Sequence, residues 1–103
     1  MKNIKDNYLH DIYFEIKDFV VDIKIFKDLE IIMDNLEKAD SIGISELNYF
    51  LNKLDSVKNY LQEIKKALTS MPIFNHSQNI QNEVIRLNDM QSKIIVLTHK
   101  LKP

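Results

Sequence analysis

The sequence predicts an all-α fold: an antiparallel up-down bundle of three long helices, or of four if the first one breaks. Two observations carry that expectation. Three stretches place apolar residues at alternating three- and four-residue steps, the spacing that lines one side of a helix. The residues that interrupt helices are nearly absent, Gly43 being the only glycine and Pro72 the only internal proline. A chain of 103 residues, 45% of them hydrophobic, supports one domain with a real core and is too short for two.

The first helical stretch is expected to begin near Asn3 to Asp6 and to run to Glu37 or Lys38, about 50 Å if it is straight. Its core line is Leu9, Ile12, Ile16, Phe19, Ile23 and Phe26, but the continuation of that line falls on Lys27 and Glu30. A second line, from Phe14, Val21 and Ile25 through Leu29, Ile32 and Leu36, lies on nearly the opposite side. Two structures produce such a switch. Either one continuous helix, the first choice, serves its own bundle with one face and another surface with the other, or the chain bends near Lys27 and Asp28 to make a fourth helix. The alternation from Val21 to Ile25 also admits local β structure, although no second strand is available to pair with it.

A loop from Lys38 to Ile44 follows, where Gly43 is expected to take backbone angles that other residues resist. Ser45 is the expected N-cap of the second stretch, with Glu46 favourably placed against the helix dipole and Ile44 and Tyr49 at the two positions of a hydrophobic staple. Leu47, Phe50, Leu54, Val57, Leu61, Ile64, Leu68 and Met71 then form a heptad seam. Pro72 disfavours helical geometry at Met71, so this helix should end near Ser70, with Lys65 and Lys66 suiting its negative pole. The turn from Met71 to His76 carries the exposed-looking pair Ile73 and Phe74. Asn75 with Gln78 matches a capping box, and Ser77 is an equally good cap. The third stretch runs to about Lys100 along Ile80, Val84, Leu87, Met90, Ile94, Leu97 and Leu101. Glu83 with Arg86 and Asp89 with Lys93 are spaced to pair on its surface.

Composition restricts the function classes. A net charge of −1 and a single arginine, Arg86, remove the global positive field that nucleic-acid binders use, so direct DNA or RNA binding is not expected. The chain has no cysteine, hence no disulfide, thiol nucleophile or cysteine-ligated metal, which accords with a reducing cytoplasm. The charged residues of the first segment interrupt any signal-peptide core, and no segment reaches the roughly 20 apolar residues of a membrane span. A cytoplasmic protein is expected. Lysine dominant over arginine, with abundant Ile and Asn, points to an AT-rich genome, as in low-GC bacteria and their phages or mobile elements.

The strongest departure from local preference is an acidic line. Asp11, Glu15, Asp18 and Asp22 share one narrow helical face at four-three-four spacing, where like charges cost a few tenths of a kcal/mol per pair. It reads as a docking strip for a basic protein partner, or as a solvated face near lysines of another helix, Lys53, Lys58 and Lys65 being available. The second apolar stripe, Phe14, Val21, Ile25 and Ile32, reads as a surface for a partner helix or a second copy of the chain, or as core in a four-helix version. Ile73 and Phe74 extend either version, as a contact tip or as a plug.

No catalytic or cofactor motif accompanies these surfaces. Carboxylate-bridged metal sites in bundles need Glu-x-x-His, and the residues three before His10, His76 and His99 are Asn7, Ile73 and Val96. No histidine sits in a recognisable nucleophile or general-base arrangement.

Two partial resemblances accompany the residue-level reading. The carboxyl third, from His76, Ser77, Gln78 and Asn79 to Leu97, Lys100, Leu101 and Lys102, resembles the last helix of the lactose and cellobiose phosphotransfer IIA proteins, three-helix bundles of about this length. That family carries its phosphate on a histidine of the middle helix, and Ser56 to Glu63 here contains none, so phosphotransfer is not implied. Leu9, His10, Asp11, Ile12 and Tyr13 are similar to the opening helix of the bacteriocin immunity group, small cytoplasmic helical bundles of low-GC bacteria, although no early Gly or Pro break follows. The resulting expectation is a non-catalytic regulator, inhibitor or adaptor, phage or mobile-element encoded, that binds protein through its first helix. The alternative is an immunity protein acting against a peptide toxin.

Overall fold

The computed structural model describes residues 7–39 and 42–102. They form four helices: α1 (Asn7–Ile23), α2 (Lys27–Lys38), α3 (Ile44–Thr69) and α4 (Gln78–Leu101), with one turn of 3-10 helix at Phe74–His76. Among the described residues there is no strand, so the alternation around Val21 to Ile25 is not β structure. The expected helix start at Asn3 to Asp6 lies outside the described residues, as do Asp40 and Ser41 of the first loop.

The first helical stretch breaks. The three-helix arrangement with one continuous opening helix is therefore corrected to a bundle of four. The break falls at Lys24–Phe26, slightly before the expected Lys27 and Asp28. Lys24 adopts a positive φ of 58°, the left-handed region that costs a non-glycine residue about 1–2 kcal/mol. No Gly or Pro lies there to impose the turn, so its cause is packing. Leu29, Met33 and Leu36 of α2 are 0%, 0% and 2% exposed, and each such burial is worth about 1.5–3 kcal/mol. In a straight helix these residues would point well away from the core face of α1. Folding back buries both faces in one core, and the gain exceeds the cost at Lys24. Phe26 fastens the link by meeting Tyr60 of α3 edge-on at 5.6 Å.

The core draws on all four helices. From α1 it takes Leu9, Ile12, Tyr13, Ile16, Phe19 and Val20, from α3 Phe50, Leu54, Val57 and Leu61, and from α4 Leu87, Met90, Ile94, Leu97 and Leu101. The two later seams thus pack as expected, except that Met71 lies beyond the end of α3 and is 40% exposed. Tyr13 and Val20 were not on the expected line of the first helix, yet both are fully buried. The Tyr13 hydroxyl donates to the Met33 carbonyl, which satisfies the phenol where water cannot. Burial pushes its pKa far up, with the Glu37 and Asp34 charges adding to the rise.

Several end signals settle differently from expectation. The N-cap of α3 is Gly43, one residue before Ile44, and not Ser45. Gly43 has ordinary extended angles, φ −67° and ψ 152°, and nothing lies within 4 Å of an added Cβ, so its conformational freedom is unused. The staple positions consequently move to Ile42, which is buried, and Leu47, while Ile44 and Tyr49 stand 74% and 49% exposed. At α4 the choice of cap is resolved in favour of Ser77, whose Oγ accepts from the Ile80 N–H at 3.3 Å. Helices α3 and α4 end at Thr69 and Leu101, close to the expected Ser70 and Lys100.

Candidate functional site

The acidic line occupies the outer face of α1, and the helix periodicity explains why. The core residues Ile12, Ile16 and Phe19 turn inward, which leaves Asp11, Glu15, Asp18 and Asp22 exposed on the other side. The face is not uniform. Glu15 is bound by Lys93 of α4, which also holds Asp89 at 2.7 Å. These two carboxylates, Asp89 first, raise the Lys93 pKa. Asp22 lies within electrostatic reach of Arg86, whose guanidinium stacks over the Phe19 ring at 5.3 Å and chelates Glu83 at 2.7 Å. Asp11 and Asp18 make no ion pair with any described residue.

The lysines expected to face this line do not. Lys53 bridges to Asp28 of α2 at 2.5 Å, Lys58 to Asp55 within α3 at 3.2 Å, and Lys65 donates to Gln91 of α4 at 2.6 Å. The cations that answer the acidic line are Arg86 and Lys93, which on sequence spacing alone pair only within their own helix. A signal was present. Arg86 and Lys93 are seven residues apart, as are Asp22 and Glu15, and an antiparallel neighbour aligns the two pairs.

The second apolar stripe is divided by the break. Val21 and Ile25 are 38% and 57% exposed, whereas Phe14 and Ile32 are half-buried. Phe14 lies beneath the edge of His10, with ring centroids 4.5 Å apart, and near the Lys17 ammonium. Ile32 packs against the core and lines a groove of about 410 Å³ between α2 and α3, with Asn35, Leu36, Ser45, Glu46 and Tyr49. This groove has no signature in the sequence, because it depends on α2 folding back. A second groove, of about 390 Å³, runs between α1 and α4, bordered by Asp11, Ile12, Glu15, Lys93 and Val96. In the α3–α4 turn Ile73 is 52% exposed, while Phe74 is half-buried and its carbonyl accepts from the Gln81 side chain at 2.9 Å.

Beyond these surfaces the chemistry is sparse. Among the described residues no polar or charged side chain is buried apart from the hydrogen-bonded Tyr13, and no group of His, Asp and Glu is arranged to hold a metal ion. His10, His76 and His99 sit on α1, in the turn before α4, and in the last turn of α4. No described helix is long and apolar enough to cross a membrane. Compared with models of protein families, with curated proteins and with solved structures, the chain matches none, so the two partial resemblances rest on their quoted residues alone.

Proposed function

We propose that the chain is a non-catalytic protein-binding module, a cytoplasmic regulator, inhibitor or adaptor, that docks a basic protein surface through the outer face of α1. The observation that carries this reading is the composition of that face. Asp11 and Asp18 are exposed carboxylates without a described counter-charge, and Val21 and Ile25 stand exposed close by. An acidic strip beside apolar side chains suits a basic amphipathic partner: the charges steer and orient, and the apolar residues slow dissociation. The α1–α4 groove next to Asp11 and Glu15 gives such a partner a concave edge to follow.

The test compares the wild type with a variant in which Asp11, Asp18 and Asp22 become Asn and Glu15 becomes Gln. All four side chains are exposed, so the helical circular dichroism should be retained. Basic proteins from the native host are passed over both forms, and the recovered partner is measured by calorimetry at rising salt. Binding that weakens with salt and is lost in the variant supports the reading. Equal binding by both forms, or binding indifferent to salt, removes α1 as the docking face.

A further inference from the structure

We infer that this chain forms a domain-exchanged dimer, in which α1 and α2 straighten into one helix and each α1 packs into the bundle of a second copy. The inference is independent of the docking reading above, because it rests on the link at Lys24–Phe26 and not on the acidic line. Lys24 is held at φ 58°, the only positive φ of a non-glycine residue among those described. The segment around it, Ile23 to Phe26, contains no residue that forbids a helix. Backbone hydrogen bonds from Lys24 N to the Val20 carbonyl and from Glu30 N to the Phe26 carbonyl bracket the gap, and Phe26, at the N-cap of α2, makes no side-chain capping hydrogen bond. Straightening would relieve Lys24 and give the N–H groups of residues 25 to 29 the carbonyls of residues 21 to 25 as acceptors.

The direction of the two buried faces says what such a helix would serve. At 3.6 residues per turn, the core face of α1 and the core face of α2 lie roughly 140° apart on one continuous helix. No single bundle can cover both. Two bundles on opposite sides can, and the second bundle is identified by complementarity. The surface that fits α1 is the one formed by α2, α3 and α4 of this same sequence, and a second copy presents it unchanged. Tyr13 to Met33, Lys17 to Asp34 and Glu15 to Lys93 would all re-form between chains. Because α1 precedes the other three helices, it can leave and re-enter without threading the chain. The exposed Val21 and Ile25 would flank the crossing of the two straight helices, with Asp22 of one chain facing Lys27 of the other across a twofold axis near Lys24 and Ile25.

The experiment is refolding from denaturant over a range of chain concentrations, read by size exclusion with light scattering. A Glu15→Cys and Lys93→Cys form of the protein, which has no other cysteine, is then treated with a short bismaleimide. The expected result is a dimer fraction that grows with concentration. In that fraction the linker joins two chains, and in the monomer fraction it closes within one. Lys24→Gly relaxes the turn and weakens the straight helix, so it should lower the dimer fraction about tenfold. Lys24→Ala with Ile25→Ala strengthens the helix and should raise it by about the same factor. A wild type that stays monomeric up to the highest refolding concentration overturns the inference. So does a dimer bridged only within each chain, or a dimer fraction that ignores both hinge variants.

Discussion

The two hairpins of this bundle are closed in opposite ways. The α3–α4 turn is dictated locally: Pro72 follows the helix end, one turn of 3-10 helix spans Phe74–His76, and Ser77 caps α4 through the Ile80 N–H. The α1–α2 turn has none of this chemistry. A lysine holds the backbone angle that glycine would favour, and the single glycine stands at the start of α3, where any small residue would serve. The lengths differ in the same sense, α2 having 12 residues against 26 and 24 for α3 and α4. One hairpin is specified by its sequence, and the other is held by what it packs against.

The α1–α2 hairpin is most vulnerable at the side chain that ties its two helices together. Tyr13→Ala should cost about 3–5 kcal/mol in chemical denaturation, the range for emptying a buried aromatic site. A loss under 1 kcal/mol would mean that α2 is not anchored there. Leu61→Ala on the α3 seam should cost about 2–5 kcal/mol. In hydrogen exchange the Tyr13 variant should release α2 amides ahead of α3 amides, whereas the Leu61 variant should lower protection throughout the bundle.

Smaller changes sharpen the contrast between the turns. Tyr13→Phe keeps the packing and removes the bond to Met33, so a loss of about 1 kcal/mol is expected from the denaturation midpoint. Lys24→Gly should stabilise the monomer by about 0.5–1 kcal/mol, since relief of the left-handed backbone outweighs the extra freedom of the unfolded chain. Gly43→Ser should raise the melting temperature slightly, because extended angles suit serine and its hydroxyl can cap α3, worth a few tenths of a kcal/mol. A fall in stability for both substitutions would show that the two backbone positions have been assigned wrongly.

The acid response is the smallest and most distributed effect. Lys53 holds the Asp28 carboxyl below its ordinary range, Lys17 does so for Asp34, and Arg86 for Glu83. Depressed carboxyl values mean that stability is present above about pH 4 and is lost as pH falls through the folded-state values. The melting temperature should therefore be level through neutral pH and decline gently in acid. At the alkaline end the raised Tyr13 and Lys17 values act the other way. Their stabilisation is complete below about pH 10 and disappears as pH rises through the raised folded-state values.

The site was legible only in part. The acidic line is a property of helix spacing, and it lies exposed where the spacing placed it. Its counter-charges were not legible, because which lysine faces α1 depends on how α4 is registered against it. That register selects Lys93 and Arg86 over Lys53, Lys58 and Lys65. The apolar stripe shows the same boundary. Phe14, Val21, Ile25 and Ile32 do lie in line along a straight helix, yet the break leaves Val21 and Ile25 in solvent and Ile32 against the core.

The sequence alone determined the all-helical class, the seams of α3 and α4 and the place of the turn between them, because periodicity and Pro72 act over a few residues; the choice of Ser77 over Asn75 as the cap came with the structure. It also recorded that the buried face switches sides between α1 and α2. Whether that switch becomes a bend was decided only by the tertiary structure. A single core can bury Leu29, Met33 and Leu36 together with the inner face of α1 only if the chain reverses, and that gain is absent from any local stretch of sequence. The reversal falls at Lys24 because the packing of Phe26, Leu29 and Tyr13 fixes both ends of the link.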